Sequence, residues 1–161
     1  MWSYNRRAFM LSAVALAGCG FTPVYGPDGP GRLLYGQVAL ESPSSENTYT
    51  LTQYLTQRLG RADAPRYGLT TSVARSQQGL AVTASQVTVR YNVLGDMSYA
   101  LRDLDSGQVI ASGKVSATTS YSASGTTVAT QAARSDANKR LMIALADLMI
   151  DRLAVDLAEA Q

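Results

Sequence analysis

Cys19 stands in surroundings that predict a specific modification of its thiol. It follows Leu16-Ala17-Gly18, and the chain before it carries the basic pair Arg6-Arg7 and the apolar run Ala8 to Ala17. A basic segment, a short apolar run and small residues before a cleavage point are typical of an export signal. Leu-Ala-Gly-Cys has the form of a lipobox, in which the cysteine is lipidated and the chain is cut before it. We therefore expect residues 1–18 to be a lipoprotein export signal and Cys19 to be acylated. A buried small side chain is the alternative role of this cysteine.

The same segment bears on where the mature protein resides. As a helix, Ala8 to Ala17 would rise about 15 Å, which is too short for a hydrocarbon core of about 30 Å. Gly20 follows the cysteine where inner-membrane retention would favour Asp, so we expect the lipid to anchor the protein in the outer membrane, on its periplasmic face. Asn5 to Met10 also resembles a twin-arginine motif. The choice between this export route and the general secretory route stays open.

The acidic residues that could act as general acids or bases have simpler structural roles. Asp103 and Asp105 stand in a turn signal. The other candidates, Asp147, Asp151 and Asp156, stand on the last predicted helix, the first two on its polar stripe. The chain has no histidine, which excludes an imidazole base, a histidine triad and a histidine-containing zinc site. Glycine-rich phosphate loops and nucleophile elbows are also absent from the sequence. We expect no enzymatic activity, no metal site and no cofactor.

Basic side chains indicate anion binding instead. Near the start of the last predicted helix stand Arg134, Lys139 and Arg140, and near or in predicted strands stand Arg75 and Arg90. Phosphate and carboxylate groups are their natural ligands, although a solvated charged surface is the competing interpretation. Of the 14 basic residues, Arg6 and Arg7 leave with the signal, and the remaining 12 equal the 12 acidic residues. A neutral mature chain gives no support for a nucleic-acid partner.

The segments that position these residues follow from glycine, proline and apolar spacing. The stretch from residue 19 to 36 is rich in Gly and Pro and predicts an extended, lipidated tether rather than a helix. Gln37 to Glu41 then predicts a short strand. Glu46 to Leu59 predicts a helix, with Ser44 or Ser45 as its cap and Leu51, Leu55 and Leu59 on one face.

Three segments with period-two alternation follow this helix. Tyr67 to Val73 is the first, Val87 to Leu101 is one long bent strand or two, and Val109 to Tyr121 is the third, with Val109 and Ala111 in the same phase. Thr126 to Ala158 then predicts a long helix with a wide apolar surface and with Ile143 and Ile150 near or on its polar side. The apolar surface comprises Leu141, Met142, Leu145, Leu148, Met149, Leu153 and Leu157.

This order, β-α-β-β-β-α, predicts an α+β fold with two helices packed on one face of a four-stranded mixed sheet. A right-handed crossover makes the first two strands parallel, and the meander makes the other pairs antiparallel. We assign residues 37–158 to this single domain.

The lipobox is followed at once by Gly20-Phe21-Thr22-Pro23-Val24-Tyr25-Gly26. Together with the element order and the long closing helix, this segment resembles the lipopolysaccharide-assembly lipoprotein family LptE in its alphaproteobacterial form. The resemblance implies a protein without catalytic residues that lies as a plug inside the outer-membrane β-barrel LptD, helps the barrel assemble and binds lipopolysaccharide (LPS) during its insertion into the outer leaflet. Small polar side chains such as Thr118, Thr119, Ser120, Ser122 and Ser124 suit a surface against a polar barrel lumen.

The resemblance also suggests ligand residues. Family members contact LPS through basic residues, one of them near the start of the closing helix, where Lys139 and Arg140 match best. The second family contact corresponds to Gln78 to Ser85, which has no Arg or Lys, and Arg75 or Arg90 would have to substitute.

Two other classes of protein remain open from sequence. One is an auxiliary lipoprotein of another envelope lipid-transport or cell-wall-synthesis complex. The other is a lipid-anchored hydrolase that uses Ser and Asp.

Overall fold

A computed structural model of the chain describes residues 31–82 and 88–159. The elements in chain order are α1 (Gly31–Leu34), β1 (Val38–Leu40), α2 (Glu46–Leu59), β2 (Tyr67–Val82), β3 (Thr88–Asp103), β4 (Val109–Ser122) and α3 (Thr127–Glu159). From β1 onward the predicted α+β fold and its order β-α-β-β-β-α are confirmed. The predicted export signal, Cys19 and the first residue of the second alternating segment, Val87, lie outside the described residues.

The strands form one mixed sheet in the order β1-β2-β3-β4. As predicted, β1 is parallel to β2, and the β2–β3 and β3–β4 pairs are antiparallel. β3 runs without interruption through Gly95, so the second alternating segment is one strand. β2 continues to Val82, well past the predicted end at Val73.

The start of the folded region differs from the prediction of an extended tether through Gly36. α1 occupies Gly31–Leu34, and the Leu34 side chain is buried in the core. After it, Gly36 adopts a positive φ of 70° and donates its backbone N–H to the Leu59 carbonyl at 2.7 Å. A four-residue helix next to glycines has little intrinsic tendency to form. It is stabilised here because Leu34 packs into the core.

β4 contains a bulge that changes the exposure of its first residues. Leu101 is opposite Ala111 but Arg102 is opposite Val109, which leaves Ile110 as an extra residue. Val109 is therefore 48% exposed while Ala111 is buried. The prediction that Val109 and Ala111 share a phase is wrong because a bulge shifts side chains by one position without any signal in the apolar pattern.

α2 begins with a capping box at Ser45. The Ser45 hydroxyl accepts a hydrogen bond from the Thr48 backbone N–H at 3.3 Å, and the Ser45 backbone N–H donates to Thr48 Oγ1 at 2.8 Å. The predicted apolar face of Leu51, Leu55 and Leu59 is buried, as expected. This face helps to close the core as α2 packs beside α3 and over β1.

α3 packs across β3 and β4 and is buried along a stripe that winds around the helix. Its buried residues form pairs four positions apart: Leu141 and Met142, Leu145 and Ala146, Met149 and Ile150, Leu153 and Ala154, followed by Leu157. Because an α-helix has 3.6 residues per turn, each step of four residues moves the stripe by about 40° around the helix axis. The stripe therefore reaches Ile150, which is buried, and leaves Leu148 45% exposed. This reverses the predicted positions of these two side chains.

The opposite face of the sheet is open within the described part of the chain and is covered mainly by small polar side chains. Exposed residues of this face include Thr70, Ser72, Ser98, Ser112, Lys114, Ser116, Thr118 and Ser120. No helix among the described residues is both long enough and apolar enough to span a membrane.

Candidate functional site

A polar cleft of about 240 Å³ lies where α2, α3 and β2 meet. Its basic residues are Arg75 from β2 and Arg134 and Lys139 from α3. The other lining residues are Glu46, Asn47 and Thr50 of α2 and Gln131, Ser135 and Asn138 of α3. We call this site the basic cleft. It brings together two of the four predicted ligand residues, Arg75 and Lys139.

The position of Arg75 follows from the alternation of β2. Arg75 continues the inward phase of Tyr67, Leu69 and Val73, so it lies on the helix side of the sheet. Its partner on β3 is Gly95, where a Cβ atom would approach a Leu141 methyl group to 3.0 Å. α3 therefore crosses the sheet closely here, and the guanidinium extends to the first turns of α3.

Two amides hold the Arg75 guanidinium. Its Nη1 donates to Asn138 Oδ1 at 2.9 Å. With the Asn47 amide oriented so that its oxygen faces Arg75, this oxygen accepts from Nη2 at 2.9 Å and from Nη1 at 3.2 Å. Neutral amides fix the orientation of the guanidinium and leave its positive charge uncompensated.

Arg134 and Lys139 add two exposed positive charges to the cleft. Among the described residues, no carboxylate lies within ion-pair distance of Arg75, Arg134 or Lys139. Three cations from two elements, with one carboxylate, Glu46, at the wall, give the cleft a net positive charge. Such an arrangement can bind a phosphate or carboxylate group through several charge-assisted hydrogen bonds.

The other two predicted ligand residues lie elsewhere. Arg140 projects toward β4, where its Nε donates to Asp136 Oδ2 at 2.9 Å and its Nη2 donates to the Ser120 carbonyl at 3.2 Å. Arg90 is exposed on β3 in the phase opposite to Tyr91 and Val93, and thus on the face of the sheet away from both helices. Adjacent positions on a helix point about 100° apart, which explains why Arg140 does not share the cleft with Lys139.

Two of the candidate acids and bases, Asp103 and Asp147, make structural contacts. Asp103 Oδ1 accepts from the Ser106 and Asp105 backbone N–H groups at 2.9 and 3.1 Å, and Arg66 pairs with its Oδ2 at 3.3 Å. The Ser106 N–H is the main cause of a lowered pKa of the Asp103 carboxyl, against the opposing effect of desolvation. This carboxylate fixes the β3–β4 turn and the start of β2.

Asp147 accepts a hydrogen bond from Tyr54 Oη at 2.8 Å and lies 3.6 Å from Arg58 Nη2. It thereby joins α2 to α3. Within the described ranges, no group of His, Cys, Asp or Glu side chains could hold a metal ion.

Sequence reasoning missed the amide residues of the cleft, Asn47 and Asn138. No motif marks them, because they follow from how the helices cross. The alternation of the strands alone indicates that Arg75 lies on the helix side of the sheet, with the cleft, and that Arg90 lies on the other side. Arg75 continues the apolar positions of its strand, whereas Arg90 continues the polar positions.

The family model described as LptE, lipopolysaccharide-assembly, matches residues 35–153. No curated protein matches the sequence. A lipoprotein structure from Caulobacter crescentus is similar to the chain with a TM-score of 0.67 and 20% identity, covering 81% of this chain and 97% of that one.

Two further solved structures share the fold. A minor lipoprotein from Acinetobacter baumannii has a TM-score of 0.57 and 18% identity, with 76% of this chain and 92% of that one covered. The rare lipoprotein B from Shewanella oneidensis has a TM-score of 0.50 and 16% identity, with 77% and 93% covered. At these identities the structures establish the shared fold.

Proposed function

Because the chain belongs to the LptE lipopolysaccharide-assembly family, we propose that it is an outer-membrane lipoprotein of the LPS translocon which binds LPS at the basic cleft. In this proposal it lies as a plug in the β-barrel LptD and takes part in LPS insertion into the outer leaflet. It performs no catalytic step.

The observation that supports LPS binding is the convergence of Arg75, Arg134 and Lys139, none of which has an ion-pair partner in the part of the chain that the structure describes. LPS carries phosphate and carboxylate groups close together, which several cations can contact at once. The amides of Asn47 and Asn138 hold Arg75 in place before binding. Less side-chain entropy is then lost when the anion binds.

The open face of the sheet supports the role as a plug. It presents mainly Ser and Thr side chains, among them Ser116, Thr118 and Ser120. Side chains of this kind suit a wet, polar barrel lumen, which a broad apolar face would not. Arg90 and Lys114 place positive charges on this face, where we expect them to meet the barrel or solvent.

The membrane anchor rests on Cys19. Acyl chains on this residue would hold the protein at the periplasmic face of the outer membrane, since two or more lipid chains give stable anchoring. For Cys19→Ser we expect loss of acylation and release from the membrane fraction, measured by metabolic labelling with palmitate and by fractionation. Unchanged retention of this variant in membranes would contradict the anchor.

A binding titration tests the role of the cleft. Detergent-solubilised full-length protein is titrated with purified LPS, and Arg134→Glu/Lys139→Glu is compared with the wild type. We expect the affinity to fall about tenfold or more, because two exposed charges that attract the anion become repulsive. Lys114→Glu, an equally exposed charge reversal on the other face, is the control and should bind normally.

Equal affinity of the cleft variant and the wild type would overturn the assignment of LPS to this cleft. A loss of affinity accompanied by a lower unfolding temperature would show that Arg134 and Lys139 act through stability.

A further inference from the structure

The outer edge of β4 has no strand partner among the described residues, because β4 is the last strand of the sheet. The bulge at Ile110 distorts one end of this edge. Near the other end, Arg140 donates to the Ser120 carbonyl. Between these two points, Ser112 to Thr118 presents a regular edge with one charged side chain, Lys114.

A groove of about 570 Å³ lies between this edge and the C-terminal half of α3. Leu148 and Val155 line it and are 45% and 48% exposed. Charged side chains, including the Arg152–Asp156 ion pair at 3.4 Å, form its far wall. We call this site the edge groove. Exposed apolar side chains beside an unpaired strand edge are typical of a surface that another chain covers.

Tyr99 lines the edge groove, and its buried hydroxyl has no hydrogen-bond partner within residues 31–82 and 88–159. The Tyr99 side chain is 4% exposed, and its ring extends from β3 across Gly113 on β4. A Cβ atom at Gly113 would lie 2.6 Å from the hydroxyl oxygen. Gly113 thus leaves room for the ring, which places the hydroxyl near the sheet edge. A buried polar group without a hydrogen-bond partner costs free energy.

We propose that the edge groove binds an extended polypeptide segment, which adds to β4 as a fifth strand between Ser112 and Thr118 and accepts a hydrogen bond from Tyr99. Its side chains on the helix side would cover Leu148 and Val155. We take the LptD barrel as the source of this segment, and in this respect the inference rests on the proposed function.

The chemistry of the groove favours a polypeptide over a lipid. A strand edge offers backbone N–H and C=O groups, which an extended peptide pairs and an acyl chain cannot. Burial raises the pKa of Tyr99, and the Asp156 carboxylate raises it further, although Arg152 lowers it. The hydroxyl therefore keeps its proton at neutral pH and is a donor, for which a backbone carbonyl is a suitable acceptor.

Site-specific photocrosslinking in the native outer membrane tests this inference. A photoreactive residue replaces Ser112, Lys114 or Ser116 in turn in the full-length protein, and crosslinked residues are mapped by mass spectrometry. Strand addition predicts that the crosslinks fall on one LptD segment and move along it by two residues from one position to the next. Val128, which is 80% exposed at the other end of α3, is the control for general proximity to the barrel.

The outcomes separate the two proposals. If the barrel co-purifies but the edge positions crosslink to no segment, to LPS or to a second copy of this chain, the inference is wrong and the proposed function stands. Crosslinks to the barrel without a two-residue shift also overturn strand addition. If no barrel co-purifies, the proposed function fails, and the inference fails with it.

Tyr99→Phe gives a second readout. It removes a hydroxyl without a partner in the free protein, so the unfolding temperature should stay the same or rise, while association with the barrel should weaken severalfold. In Tyr121→Phe, which removes a hydroxyl that accepts from Gln77 at 2.9 Å, the unfolding temperature should fall and association should stay normal. Unchanged association of Tyr99→Phe would show that its hydroxyl does not contact the segment.

Discussion

The basic cleft and the edge groove lie at opposite ends of α3 and are built from different kinds of groups. The cleft has three exposed cations, of which Arg75 is held by two amides, and none of the three belongs to the core. The groove depends on the sheet edge, on a buried tyrosine and on a glycine that makes room for it. Changes in the cleft should therefore alter binding with little effect on folding. Changes at the groove should often alter both.

The largest difference in stability is expected between variants of two leucines of α3. Leu145 is completely buried, whereas Leu148 lies in the edge groove and is 45% exposed. We expect Leu145→Ala to lower the free energy of unfolding by about 3 kcal/mol, and Leu148→Ala by less than about 1 kcal/mol. Denaturant unfolding of both variants measures this. Equal losses would mean that Leu148 is covered in the free protein and that the groove is not open.

The next effect concerns Gly113. Because a Cβ atom there would lie 2.6 Å from the Tyr99 oxygen and 2.9 Å from Cζ, Gly113→Ala must displace the ring, and we expect a loss of about 2 kcal/mol. Ser112→Ala, at an exposed position on the same strand, should change stability by less than about 0.5 kcal/mol. Thermal unfolding distinguishes the two. A harmless Gly113→Ala would show that the ring does not need the space above this glycine.

The smallest stability effect depends on pH and concerns the turn beside the groove. The pKa of Asp103 is lowered in the folded protein below its usual 3.8, chiefly by the Ser106 N–H. The unfolded chain therefore takes up this proton at a higher pH, and the stabilisation is present above pH 3.8 and is lost as the pH falls through the folded pKa. We expect Asp103→Asn to be less stable than the wild type at neutral pH.

The stability difference between Asp103→Asn and the wild type should shrink below pH 3.8, as measured by denaturant unfolding across pH. Asp136→Asn, at a largely exposed ion pair, should cost less than about 0.5 kcal/mol throughout. A constant difference between Asp103→Asn and the wild type at all pH values would show that shape, rather than charge, gives Asp103 its role.

Most of the fold was predictable because its signals are local. Alternation placed the strands, Ser45 began α2, and the spacing of Leu51, Leu55 and Leu59 gave its buried face. The winding of the buried stripe on α3 was not predictable, because it depends on how the helix crosses a twisted sheet. Leu148 and Ile150 are interchanged for this reason.

The candidate site was partly predictable. The types and positions of Arg75 and Lys139 made them candidate anion ligands, and the structure places both in one cleft. Arg140 lies outside this cleft because neighbouring helical positions diverge, and its contact with the Ser120 carbonyl depends on tertiary packing. The Tyr99 hydroxyl has no sequence signal either, since only the register of β3 on β4 brings it over Gly113.

We have assigned different ligands to the two ends of α3, and a crossed measurement on two double variants tests this assignment. LPS affinity and barrel association are measured for Arg134→Glu/Lys139→Glu and for Leu148→Asp/Val155→Asp. We expect the first variant to lose LPS affinity about tenfold or more and to keep the barrel. The second should lose the barrel and keep its LPS affinity. If either variant loses both properties at unchanged stability, or if the losses are reversed, the assignment of two separate sites is contradicted.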